Sequence, residues 1–222
     1  MTEQEKHLQD LKEIRSLMEK SSKFISLSGL SGIITGVVAL IGAAIAYMRL
    51  QQHWMRSDSG RFSDRSSFIH NTLPKQLGWS NLVFDLVAIA CGVLLVSLIV
   101  STYLTVRQAK KNGQSIWDKS SQMLLVNMMI PLIAGGVFAL ILIKQDLFGF
   151  VAPVTLIFYG LALINASKYT LHDIRYLGIA QLILGLMNAA SIGYGIFYWA
   201  IGFGVLHIIY GVVMYLKYER KS

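Results

Sequence analysis

The chain is poor in charge and almost without cysteine. Only 14% of its 222 residues are Asp, Glu, Lys or Arg. A soluble domain of this length carries about a quarter, so an ordinary water-facing surface is excluded for most of the chain. The single cysteine, Cys91, rules out an intrachain disulfide and leaves most zinc arrangements without ligands. Inside an apolar run it reads as a core-filling thiol. Enzyme motifs are also missing: there is no P-loop, no HExxH and no Gly-x-Ser-x-Gly. Gly202-Phe203-Gly204 lacks the preceding strand, the helix start and the third glycine of a dinucleotide fingerprint. His7, His53 and His70 stand outside the apolar runs and show no metal-ligand spacing. No cofactor and no metal is expected.

What is present is hydrocarbon. Hydrophobic residues make up 54% of the chain and gather in six stretches: Phe24–Met48, Trp79–Val106, Met123–Ile143, Phe148–Asn165, Tyr176–Phe197 and Tyr198–Leu216. A helix needs about 20 such residues to cross roughly 30 Å of hydrocarbon. The fold class expected is therefore all-α: a polytopic membrane protein with a six-helix bundle over 24–216, an amphipathic helix over 1–23 and a tail over 217–222.

The net charge of +8 suggests nucleic acid at first sight, but the basic residues are spread along connections rather than gathered on one face. Sorting the 20 Lys and Arg by alternate connections explains them better. Fourteen fall on the side of the N-terminal segment, the second and fourth connections and the tail; six fall on the other. Cytoplasmic connections carry such an excess, so both ends are expected in the cytoplasm of a bacterial inner membrane. Five of the outer six lie in the first connection, which fits this sorting least well. Trp54, Trp79 and Trp199 then anchor the outer boundary, and Trp117, Tyr103, Tyr176 and Tyr218 the inner one. The leader before Phe24 is too long for a signal-peptide n-region, and the first run exceeds an h-region, although Ala44-Ile45-Ala46 imitates a cleavage site.

Thr2 and Glu5 have capping-box spacing, and Leu8, Leu11, Ile14, Leu17 and Met18 recur at helical intervals. Such a helix lies on the inner leaflet, packs on a neighbouring subunit, or simply leads into the first span. The connection Gln51–Gly78 is the one external segment long enough to meet a ligand or partner. A turn is expected at Asn112-Gly113, and a tight hairpin near Gly195–Tyr198. Ser28, Gly32 and Gly36, like Gly185, Ala189 and Gly193, have the four-residue spacing that lets helix backbones approach in lipid. Tyr159-Gly160 with Lys168-Tyr169 echoes Tyr210-Gly211 with Lys217-Tyr218, as duplication or a shared boundary requirement would produce.

Polar residues within the runs carry the functional signal, because hydrocarbon penalises an unpartnered polar group. At 1.5 Å per residue, Asp85 lies roughly 9 Å from the outer start of its run, Asn188 about 12 Å from the outer end of its own, and His207 about 13 Å into the last. The three are expected to meet, with Gln181 on the Asn188 face and Asn127 beside Pro131 on the third run. His207 is expected uncharged unless Asp85 partners it. The bland reading is that these groups only bond one another or backbone carbonyls. A second cluster, Lys168, Tyr169, His172, Asp173 and Arg175, suits a lipid headgroup or phosphate. Its bland reading is an Asp–Arg pair with tyrosine anchors.

The segments LKEIRSLMEKSSKFISLSGLSGI and NASKYTLHDIRYLGIAQLILGLMN, with FYWAIGFGVLHIIYG, resemble a family of small six-span membrane proteins of Bacteroidetes-type bacteria with no assigned activity. That resemblance covers most of the chain and implies a bacterial origin, but no catalytic residues. Three functions stay open: transport of a small solute or ion, or ligand sensing, at an internal polar site; an enzyme acting on lipid or isoprenoid; and a structural, partner-binding module. Six spans leave little room for a private pore, so a homo-oligomer or membrane partner subunit is expected, with no nucleic acid.

Overall fold

A computed structural model describes residues 28–57, 81–111, 113 and 117–220. The amphipathic segment 1–23, most of the first connection, Trp79 and residues 221–222 lie outside the described residues, as does the side chain of Trp54. Among the described residues the chain is all-helical. The helices are α1 (Gly29–Ser57), α2 (Asn81–Lys111), α3 (Lys119–Lys144), α4 (Val151–Ala166, entered through a 3-10 turn at Phe148–Phe150), α5 (Ile174–Ala190) and α6 (Gly195–Glu219). All but α5 are long and apolar enough to cross a membrane, α4 when counted from its 3-10 turn over Phe148–Ala166. With 17 residues, α5 is about 26 Å long at 1.5 Å per residue, slightly short of the hydrocarbon thickness.

Several boundaries differ from the sequence reading. The first helix continues through Ser57, so Gln51–Ser57 is helical rather than loop, and the second continues to Lys111. The fifth helix stops at Ala190, and the hairpin to α6 is made by 191–194, not near Gly195–Tyr198. Gly193 causes this, for its φ of 104° belongs to the left-handed region that glycine adopts freely. It is a turn residue, not part of the α5 packing face. At the other internal turn Gly113 has φ 64° and its N–H donates to the Lys110 carbonyl at 3.2 Å. Helix α3 starts cleanly because the Asp118 carboxylate accepts the Ser121 N–H at 2.7 Å, an N-cap bond.

In space, α2 lies on α1, α1 on α6, α6 on α4 and α5, and α3 on α4. Contacts at the two ends fix the alternation. At one end the Glu219 carboxylate accepts the Gly29 N–H, capping the start of α1 with negative charge, and Lys217 pairs with Asp173 before α5. At the other, Arg49 faces Asp85 at 3.8 Å and the Tyr47 and Phe197 rings meet at 5.8 Å. The described chain therefore begins and ends at the same end of the bundle. Arg107, Lys110, Lys111, Lys119, Lys168, Arg175, Lys217 and Arg220 gather there, whereas Arg49 and Lys144 mark the opposite end. We call these the basic end and the far end.

Glycine makes two seams. Between α1 and α6, a Cβ on Gly211 would stand 2.5 Å from the Ile33 nitrogen, and one on Gly36 would stand 2.7 Å from the Gly204 carbonyl oxygen. Between α4 and α5, Gly160 and Gly178 each lie against the other's carbonyl, at 2.7 and 2.8 Å from the would-be Cβ. Gly185 continues the second seam against the Ile157 nitrogen. Backbone-to-backbone approach of this kind admits no side chain, and it supplies the close packing that holds helices together where no hydrophobic effect separates protein from lipid. The two Tyr-Gly pairs thus share a local job, glycine in the seam and tyrosine beside it.

Candidate functional site

Three buried polar residues, Gln181, Asn188 and His207, lie on α5 and α6 where these meet α4. Helix α6 carries a π-helical stretch at Ala200–Leu206, and widened turns of this type interrupt helices at functional positions more often than elsewhere. Within it the Gly202 carbonyl takes two side-chain donors, one for each lone pair: Gln181 Nε2 at 2.7 Å and His207 Nδ1 at 3.0 Å. A carbonyl can only accept, so Nδ1 carries the histidine proton. The other ring nitrogen, Nε2, lies 2.8 Å from Tyr159 Oη and accepts its O–H. One chain of hydrogen bonds therefore runs from α5 through the α6 backbone and His207 to α4.

Position 202 has no room for a side chain: a Cβ there would stand 2.6 Å from Gln181 Oε1 and 2.5 Å from Leu156 Cδ2. Trp199, Phe203 and His207, at successive helical turns, form an aromatic column with centroids 5.0 and 6.0 Å apart, and Tyr159 closes on Phe203 at 5.0 Å. Tyr159 and Tyr210 both pack on the Leu163–Ile174–Leu177 cluster.

Several atoms here find no protein partner among the described residues. They are Gln181 Oε1, both amide atoms of Asn188 and Tyr210 Oη. Gln181 and Asn188 are each 0% exposed. Leaving one such group unsatisfied costs about 1–3 kcal/mol, and less of that is recovered in hydrocarbon than in water. Asn188 sits two turns along α5 from Gln181, on the same face and nearer the far end.

Of the five polar residues within the apolar runs expected to share a site, Gln181 and His207 meet and Asn188 continues their seam. Asp85 does not join them. It pairs with Arg49 at the far end of α1 and α2, both side chains being partly exposed. Helix α2 packs on α1, which stands between it and the α4–α5–α6 corner, so Asp85 has no neighbour there; the depths differ as well. From the observed helix ends, Asp85 lies about 6 Å in, Asn188 about 3 Å and His207 about 18 Å, so the depths that seemed equal are not. Asn127 is also elsewhere: its amide donates to the Met123 carbonyl of its own helix at 2.8 Å. Tyr159 and the Gly202 carbonyl were the unexpected members. No side-chain pattern in the sequence announces a backbone acceptor of this kind.

In the second cluster, Asp173 accepts from Lys217 at 2.7 Å and from Tyr218 at 3.0 Å, not from Arg175. The Lys217 hydrogen bond holds its carboxyl below the usual carboxylate range. Lys168, His172 and Arg175 are exposed, Tyr169 is half-buried, and His172 meets Tyr176 edge-on at 6.1 Å. No family model, curated protein or solved structure matches this chain.

Proposed function

We propose that this is a multi-pass membrane protein that binds a small uncharged, hydrogen-bonding solute in the α4–α5–α6 seam, for passage across the bilayer. Membrane insertion is supported by five long apolar helices whose side chains face outward in bulk; Ile99 is 68% exposed and Phe84 65%. Apolar surface on that scale suits lipid, not water. The basic end is read as cytoplasmic and the membrane as a bacterial inner membrane.

The observation that carries the solute reading is Asn188: fully enclosed, with donor and acceptor both unpaired among the described residues, two turns along α5 from the Gln181–Gly202–His207–Tyr159 chain. An apolar residue would fill such a position at lower cost. The chemistry of the seam favours a neutral guest. The buried polar side chains among the described residues are Ser31, Ser167, Thr170, Gln181, Asn188 and His207, with no Asp, Glu, Lys or Arg. An ion entering would lose its hydration without a fixed counter-charge to replace it.

The test is stopped-flow light scattering on liposomes containing the purified chain, with water, urea and glycerol as probes, alongside solute-dependent thermal stability. At least one probe is expected to equilibrate faster than in protein-free liposomes, and Asn188→Leu and Gln181→Leu should remove the gain while the helical circular dichroism is kept. Thermal stabilisation by a probe that does not permeate would make the site a sensor. Protein-free rates for every probe, with no stabilisation, would reduce the seam to structural glue.

A further inference from the structure

The basic end holds a second arrangement, at the turn between Ala166 and Ile174, whose charges are left unbalanced by the fold. Asp173 is the natural counter-ion for Arg175 in sequence. The fold gives it instead to α6, where Lys217 donates to one of its oxygens at 2.7 Å and Tyr218 donates to the same oxygen at 3.0 Å. That pair is electrically closed. Lys168 and Arg175 are exposed and form no ion pair among the described residues, while the exposed His172 has only the field of the neighbouring Asp173, already held by Lys217. The Arg175 N–H donates to the His172 carbonyl at 3.0 Å, so these two lie one turn apart on the same arm, while Lys168 comes down from α4 on the other.

We infer that Lys168, His172 and Arg175 bind the phosphate of an anionic membrane lipid at the α4–α5 turn. The inference rests on the membrane reading above but not on the solute site. Its level is right: α4 is an apolar helix of membrane length ending at Ala166, and the 65% exposed Tyr176 and the exposed Tyr218 provide the amphipathic rings that settle at headgroup depth. Its donors are right too. A guanidinium offers paired N–H groups to a phosphate, and the ammonium adds a mobile charge from the opposite side. The Asp173 carboxylate is already neutralised by Lys217, which weakens its repulsion of an incoming anion.

The experiment compares lipid retained by the purified chain from nanodiscs of phosphatidylcholine alone and of phosphatidylcholine mixed with phosphatidylglycerol, read by mass spectrometry of the bound lipid. Each Lys or Arg near an anionic surface is worth roughly a fivefold preference, so Lys168→Gln with Arg175→Gln should cut phosphatidylglycerol enrichment by about tenfold or more. Both side chains are exposed, so the double variant is expected to fold. Removing the same charge at the same end with Lys110→Gln and Lys111→Gln should leave most of the enrichment; equal loss in the two double variants would overturn the site. Free inorganic phosphate should not compete at concentrations that leave the bilayer intact, and full competition would assign the site to a soluble phosphate instead. Entry into the discs with no preference for phosphatidylglycerol overturns the site alone. Failure to enter phosphatidylcholine discs overturns the membrane reading and the site with it.

Discussion

The α4–α5–α6 corner and helix α2 are made from similarly apolar sequence, yet they are built oppositely. In the corner, glycine backbones touch, Leu156 and Gln181 are fully enclosed, and polar groups are joined from helix to helix. Helix α2 rests on α1, while Leu94, Leu95, Leu98 and Ile99 stand outward. Composition therefore does not tell a buried helix from an outward-facing one. What distinguishes them is where the small residues and the enclosed polar residues fall.

Glycine substitutions sharpen this contrast most. Gly211→Leu would drive a side chain into the α1 backbone, and Gly160→Leu into that of α5. Each is expected to cost upwards of about 3 kcal/mol, seen as loss of the monodisperse folded species in detergent. Gly92→Leu on α2 and Gly136→Leu on α3, where a Cβ meets nothing within 4 Å, should change stability by less than about 0.5 kcal/mol. Equal damage at all four positions would break the comparison.

Cavity-forming changes come next. Leu156→Ala in the corner should cost about 2–5 kcal/mol in denaturant titration, while Ile99→Ala on α2 should stay within about 0.5 kcal/mol in lipid. A smaller effect is expected from Tyr159→Phe, which keeps the ring and deprives His207 Nε2 of its partner; about 1–2 kcal/mol is the usual size of such a loss. The smallest concerns Asp173. Its carboxyl is held below the ordinary range, so its contribution is present above the unfolded value near 4 and disappears as pH falls through the folded value. Asp173→Asn should therefore lower the melting temperature slightly at about pH 7, and by progressively less as pH falls below about 4. A difference that grows in acid would contradict the bond to Lys217.

The gross architecture was legible because the six apolar runs and the short basic connections leave few alternatives. Gly32, Gly36 and Gly185 were legible as seam residues for the same reason, since four-residue spacing of small side chains has a single geometric use in lipid. Helix ends were not. The glycine that closes the α5–α6 hairpin lies inside an unbroken apolar run, so hydropathy could not locate it; nor does hydropathy say that α2 packs on α1, away from the corner, which is why Asp85 was given the wrong neighbours. The Gly202 carbonyl was invisible for another reason: a backbone acceptor freed by a π-helical turn has no side chain to announce it.

Everything turns on hydrocarbon surrounding the outward faces, and Cys91 reports on that without any mutation. It is the chain's lone thiol, it is exposed on the protein surface, and it lies about 15 Å along α2 from Asn81. A charged, membrane-impermeant maleimide should fail to label it in native membranes opened to reagent on both sides, and should label it fully once the chain is unfolded in detergent. Rapid labelling of the native protein would mean that water, not lipid, covers α2, and the account would fall.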